Sequence, residues 1–211
     1  MNNSNPIRKR QSEVSKRGRA VEKKVAELLL DDEEIRERCI VARGPTSLLN
    51  AANQTCTARL SDYFTEENVE IDVSELTVSY KKLDGSETRE LMDADIVVLD
   101  KESRRILCVI SVKNSLRERG GQTAYWAVKS SKRCFKYIFV TPDKDHELCD
   151  ENSKPKDNKW LTILTSEMDA VFVLKESGAC IENGNFYVGN ECLRKYIKTL
   201  LNNQDSDCQK L

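Results

Sequence analysis

Two apolar runs constrain this chain more than any other feature: "RRILCVISVK" at residues 104–113 and "FKYIFVTPD" at 135–143. A run of strand length with almost no polar alternation needs cover on both faces, so the first belongs in the middle of a sheet. Between the two, Gly120-Gly121 breaks the chain and "QTAYWAVKSSKRC" reads as a helix. With the strands upstream, the order strand, strand, strand, helix, strand implies an α/β fold: a mixed central β-sheet flanked by helices, with a crossover helix.

The remaining elements are assigned around that core. Residues 12–38 read as one or two helices, with Val21, Val25, Leu28 and Leu29 at helical spacing and a charge-paired "DDEEIRER". Gly44-Pro45 interrupts the chain, and a second helical stretch is expected beyond it, with Leu48, Leu49, Ala52, Leu60 and Phe64 facing inward. "ELTVSYKKLDGSETRELMDADIVVLD" is expected to form a hairpin about Asp84-Gly85. The polar turn "DKESR" then joins its second strand to the apolar run. "KWLTILTSEMDAVFVLK" should add one or two short strands, and "NECLRKYIKTLL" a closing amphipathic helix. The length of 211 residues suits a single domain. It would divide into a helical part over 1–70, a sheet core over 71–175, a C-terminal strand and helix over 176–202, and a frayed tail over 203–211.

Composition narrows the class of partner. No apolar run approaches the roughly 18 residues of a membrane span, and the polar, basic start has no apolar signal region. A cytoplasmic protein is expected, and its eight cysteines, with no C-x-x-C pair, then read as free thiols rather than as a zinc site or disulfides. The net charge of −1 hides an asymmetry. Between Arg104 and Lys136 stand nine basic residues and one acid, Glu118, and the first 24 residues hold eight basic residues against Glu13 and Glu22. Basic segments within a near-neutral chain are compatible with a nucleic-acid face or with a solvated helix surface.

The chemistry concentrates where two strands meet. One begins "MDADIVVL", the other ends Ser111-Val112-Lys113, and in an antiparallel hairpin the start of the first lies beside the end of the second. Asp95 and Lys113 can therefore be neighbours, with Ser111 on the face of Lys113. A carboxylate beside a lysine suits phosphodiester hydrolysis: the acid holds a divalent ion, and the lysine orients or deprotonates water. A solvent-facing ion pair at a sheet edge would look the same.

"DADIVVLDKESRRILCVISVK" resembles the core of the PD-(D/E)xK nuclease superfamily, with Ala94-Asp95 and Ser111-Val112-Lys113 at its two motif positions. Serine in the triplet, with Arg117-Glu118-Arg119 starting four residues after the lysine, is similar to the CCGG-recognising branch of Type II restriction endonucleases. "SVKNSLRERGGQTAYW" is closest to its BsaWI-like members. The resemblance implies a restriction-endonuclease-like fold and a Mg2+-dependent endonuclease cutting double-stranded DNA at a palindrome with a CCGG or related CC/GG core. It implies a homodimer and a cognate DNA methyltransferase in the same system. Asp95, Lys113 and Ser111 would be catalytic, while Arg117, Glu118 and Arg119, with Gln122 assisting, would contact DNA. The branch's compensating glutamate on the following helix has no counterpart in "QTAYWAVKSSK". The second metal-binding carboxylate is assigned to Glu22, because "RGRAVEKKVAELL" resembles the superfamily's N-terminal helix. Asp93, Glu70 and Glu90 are its rivals, and His146 is expected at the surface.

Overall fold

The computed structural model describes residues 6–49, 56–114, 116, 120–130, 133–176 and 180–203. Helix α1 (Pro6–Leu30) and the short α2 (Glu33–Arg38) lead into β1 (Cys39–Arg43), β2 (Thr57–Asp62) and β3 (Asn68–Asp72). A hairpin of β4 (Thr77–Lys81) and β5 (Glu87–Leu91) follows, then β6 (Ile96–Asp100) and β7 (Ile106–Val112). The chain continues through α3 (Gly120–Ser130), β8 (Lys136–Thr141), α4 (Lys159–Glu167), β9 (Ala170–Val173), β10 (Ile181–Asn183), β11 (Phe186–Val188) and α5 (Asn190–Asn202).

Nine strands form one sheet in the order β10-β11-β9-β8-β7-β6-β1-β2-β3, while β4 and β5 pair only with each other. The pairs β7/β8, β8/β9 and β9/β11 are parallel, and the others in the large sheet are antiparallel. The apolar run of β7 occupies the central position and all seven of its residues are buried. One face of the sheet packs beneath α3, α4 and the β4–β5 hairpin, through Leu76, Val78, Met92, Ala127 and Leu164. The other packs beneath α1, α2 and α5, through Val25, Leu29, Ile35, Leu193 and Ile197. Polar ties fix α5 on that face: Arg194 Nε donates to the Leu28 carbonyl at 2.9 Å, and Lys198 Nζ reaches Asp32 Oδ2 at 2.8 Å.

Several expectations are corrected. Two strands, β1 and β2, and the start of β3 fall within residues 1–70, where the sequence predicts helices. Leu60 is buried in β2, whose exposure alternates with the period of a strand, while Leu49 and Phe64 are exposed; Ala52 lies outside the described residues. The hairpin is shorter than expected, because residues 92–95 break the chain and β6 joins the large sheet separately. "KWLTILTSE" is helical, its start capped by Asn158 Oδ1 accepting from Leu161 N at 3.0 Å. Cys180 and Cys192 are bridged, with Cα atoms 5.2 Å apart, so not every cysteine is a free thiol.

A glycine governs how β1 meets the start of β6. A Cβ on Gly44 would stand 1.7 Å from the Ala94 carbonyl oxygen, and Gly44 N donates to the Asp95 carbonyl at 3.1 Å. Gly44→Ala is expected to lower stability by about 1–3 kcal/mol, as overpacking does. The measurement is a lowered urea midpoint at unchanged slope. Gly18→Ala, where a Cβ meets nothing nearer than Glu22 Oε1 at 3.9 Å, serves as the contrast and is expected to gain up to about 1 kcal/mol from helix propensity.

Candidate functional site

The backbone ladder fixes Asp95 and Lys113 before any side chain is considered. Asp95 N donates to the Ile110 carbonyl at 3.1 Å, extending the β6–β7 pairing by a residue, and Lys113 N donates to the Val140 carbonyl at 3.0 Å. Both residues thus sit at one end of adjacent central strands, and their side chains close the gap. Lys113 Nζ lies 2.7 Å from Asp95 Oδ2 and 3.1 Å from Asp93 Oδ2. Asp95 Oδ2 also accepts from Val112 N at 2.7 Å. The lysine side chain is only 5% exposed, and Asp95 17%.

The other expected residues divide sharply. Asp93 joins the site, whereas Glu70 stands on β3 at the sheet's far edge and Glu90 on the separate hairpin; both are exposed. Glu22, on α1, is half-buried and within electrostatic reach of Asp95, Arg43 and Lys113. Ser111 is fully buried, its hydroxyl 3.3 Å from that of Thr123 on α3. The Thr123 hydroxyl thus occupies the helix position facing the triplet serine. Gln122 is exposed on the first turn of α3, and His146 is exposed in the loop after β8. Arg117, Glu118 and Arg119 lie outside the described residues, though Leu116 immediately before them is buried and its N–H donates to Glu147 Oε2 at 3.0 Å.

That contact comes from a loop organised by a single buried acid. The Asp143 carboxylate accepts from the backbone N–H groups of Glu147, Leu148 and Cys149 at 2.7–3.1 Å. The acidic stretch after β8 is therefore a built support for the segment following Lys113.

Three further groups were not singled out from the sequence. Tyr137 on β8 donates from its hydroxyl to the Asp93 carbonyl at 2.7 Å, and burial first, then Asp93, pushes its pKa up. Arg43 ends β1 with its guanidinium 5.6 Å from the centre of the Tyr63 ring. Tyr63 N donates to the Val41 carbonyl at 3.0 Å, and its pKa is raised, chiefly by burial. Among the described residues the Tyr63 hydroxyl has no partner of full hydrogen-bond geometry, and Arg43 meets the tyrosine as a ring–cation contact. Long-range pairing of β1 with β6 creates this neighbourhood, and no local spacing announces it.

Electrostatically the site is a strained collection of carboxylates. Burial raises the pKa of Asp95 above its ordinary value; Lys113 opposes that shift, and Asp93 adds to it. Glu22 is likewise raised, by burial first and then by the charge of Asp95. Among the described residues no three His, Cys, Asp or Glu side chains are close enough to enclose a metal on their own. Mg2+, however, commonly takes one or two protein carboxylates and completes its shell with water and substrate phosphate. Carboxylates held part-buried against each other's charge fit that demand, since a cation would relieve both shifts.

The nine-stranded mixed sheet and the acid–lysine pair at its end are those of a restriction-endonuclease-like α/β fold. The chain belongs to the BsaWI restriction endonuclease type 2 family, whose model matches residues 66–187. It is 42% identical over 94 residues to the putative type II restriction enzyme MjaVIP of Methanocaldococcus jannaschii, covering 41% of each chain. It is also 37% identical over 70 residues to the probable type II restriction enzyme HpyAORF263P of Helicobacter pylori, covering 31% of this chain and 36% of that one. The chain thus matches about two fifths of the length of these relatives. Asp93, Asp95 and Lys113 fall inside the family match; Glu22, Arg43 and Tyr63 lie before it.

The raised pKa of Glu22 has a thermodynamic consequence. Folded Glu22 holds its proton more tightly than the unfolded chain does, so stability falls as pH rises from the ordinary value of 4.5 through the folded one. In chelator, Glu22→Gln is expected to melt above the parent at neutral pH and level with it well below pH 4.5. Thermal denaturation across that range checks the sign, and a variant less stable at neutral pH would contradict it.

Proposed function

We propose that this protein is a type II, site-specific endonuclease that hydrolyses phosphodiester bonds of double-stranded DNA with Mg2+. The observation that carries the reading is the 2.7 Å approach of Lys113 Nζ to Asp95 Oδ2, at the end of paired central strands and beside Asp93. Family membership and the names of the two relatives support it. Asp95, with Glu22 or Asp93, would hold the ion; when bound, it supplies a polarised phosphate and a water of lowered pKa.

The chain's own groups account for the rest of the chemistry. Lys113, kept by two carboxylates at a fixed point, orients the attacking water and balances charge growing on the phosphoryl oxygens. Ser111, buried against Thr123, contributes by positioning the strand end rather than by touching water. Arg117 and Arg119 donate to N7 and O6 of guanine, and Glu118 accepts from cytosine N4, so a CCGG or related CC/GG core is the proposed target. Each bidentate contact discriminates by about 1–3 kcal/mol. A palindromic target is read by a homodimer, and a cognate methyltransferase protects the host's own sites. The setting is the cytoplasm; no helix among the described residues is long and apolar enough to cross a membrane.

Digesting a sequenced plasmid with Mg2+ and reading the fragment ends tests this directly. Discrete ends within a CC/GG palindrome are expected, while smearing or cutting only at branched DNA would favour a structure-specific nuclease. Lys113→Ala is expected to lower cleavage by about 10²–10⁴-fold with site binding retained. Sequence-specific binding by the parent without any Mg2+-dependent cleavage would point to a decayed binding module.

A further inference from the structure

Arg43 sits closer to the proposed catalytic centre than its place in the sequence suggests. Its Cα pairs with that of Ile96, the residue after Asp95, and the next residue, Gly44, hydrogen-bonds the Asp95 carbonyl. The absence of a side chain at Gly44 lets β1 press directly on Ala94. The last strand residue is thereby held one position from the acid that the nuclease reading assigns to the metal. Arg43 is exposed at the strand end, with its guanidinium 5.6 Å from the centre of the Tyr63 ring, an arrangement that restricts the fork.

Charge requires such a group. Glu22, Asp93 and Asp95 supply three negative charges when ionised, against one from Lys113. A divalent ion would bring the cluster only to neutrality, while a phosphodiester arrives with one negative charge and gains another at the transition state. A second cation beside the first leaves the site positive as that charge develops. An arginine fork also matches two non-bridging phosphate oxygens better than a lysine does.

We infer that Arg43 is a catalytic residue that binds the non-bridging oxygens of the scissile phosphate, its fork steadied by Tyr63. The inference rests on the nuclease reading and extends it to a residue before the family match.

The test uses the full chain and a duplex bearing the site read from plasmid digestion, with Lys113→Ala for comparison. Arg43→Ala is expected to reduce single-turnover cleavage by about 10²–10³-fold, as loss of one transition-state donor does, with Arg43→Lys falling between it and the parent. Binding with Ca2+, a hard oxygen-seeking cation used as the probe, gives a readout independent of turnover. A neutral methylphosphonate at the scissile position should weaken binding by the parent, and weaken it less in Arg43→Ala, where only the ion and Lys113 remain to meet the phosphate. Losses that simply multiply, or cleavage by Arg43→Ala within about twofold of the parent while Lys113→Ala is inactive, would overturn the assignment and leave the nuclease reading standing. A parent that does not cut, or cutting unchanged in both variants, would overturn both.

Discussion

An ammonium group that water scarcely reaches is the feature around which the rest of this structure is arranged. Burying a charge costs several kcal/mol unless partners replace its hydration, and breaking such a pair commonly costs more than the pair contributes. Lys113 meets that requirement with Asp95 and Asp93, and Asp95 in turn is tied to the backbone of the lysine's own strand through Val112 N. The acid therefore cannot leave without stranding the cation. β6 and β7 must stay in register, and the chain between β5 and β6 must deliver two aspartates rather than one. Two apolar clusters, one on each sheet face, hold the strands that make this possible.

The same arrangement explains why the site is destabilising within an otherwise apolar fold. Asp93 and Asp95 share one lysine, Glu22 lies within electrostatic reach of Asp95, and burial pushes Asp95 and Glu22 toward their protonated forms. A purely structural ion pair would have no need of the additional acids, and replacing buried pairs with apolar groups is often neutral or favourable. Strain of this kind, retained at one end of a central sheet, is what a binding site for a cation and an anionic substrate requires.

Local periodicity made the centre of the molecule legible and left its periphery hidden. The apolar runs of β7 and β8, the helix between them and the amphipathic α5 could be read because burial on both faces, or on one helical face, leaves a direct mark on the sequence. The Asp95–Lys113 contact was legible for a related reason, since the two strands are consecutive and joined by a short turn. By contrast, β1 is five residues long and its pairing with β6 spans more than fifty positions, so nothing near Arg43 signals that it reaches the site. Short strands such as β10 and β11, with three residues each, carry too little pattern to separate from loops. The helix expected beyond Gly44-Pro45 has a definite cause: leucines and alanines carry helical propensity, although "TARLSD" alternates with the period of a strand.

The loop after β8 gives a different lesson about acidic segments. Composition alone marks "DKDHELCDENSKPKDNK" as solvated, and most of its charges are. One of them, Asp143, is instead buried at 6% exposure and gathers three successive backbone N–H groups, which lets Glu147 reach back to the N–H of Leu116. Leu116 is itself buried, so the chain leaving β7 is pinned there by packing and by a charge-assisted hydrogen bond. A support anchored in the sheet holds Leu116 at a fixed point beside the end of β7 better than a free loop would. The acids of this region thus divide by burial, the solvated ones keeping the surface polar and the buried one setting geometry.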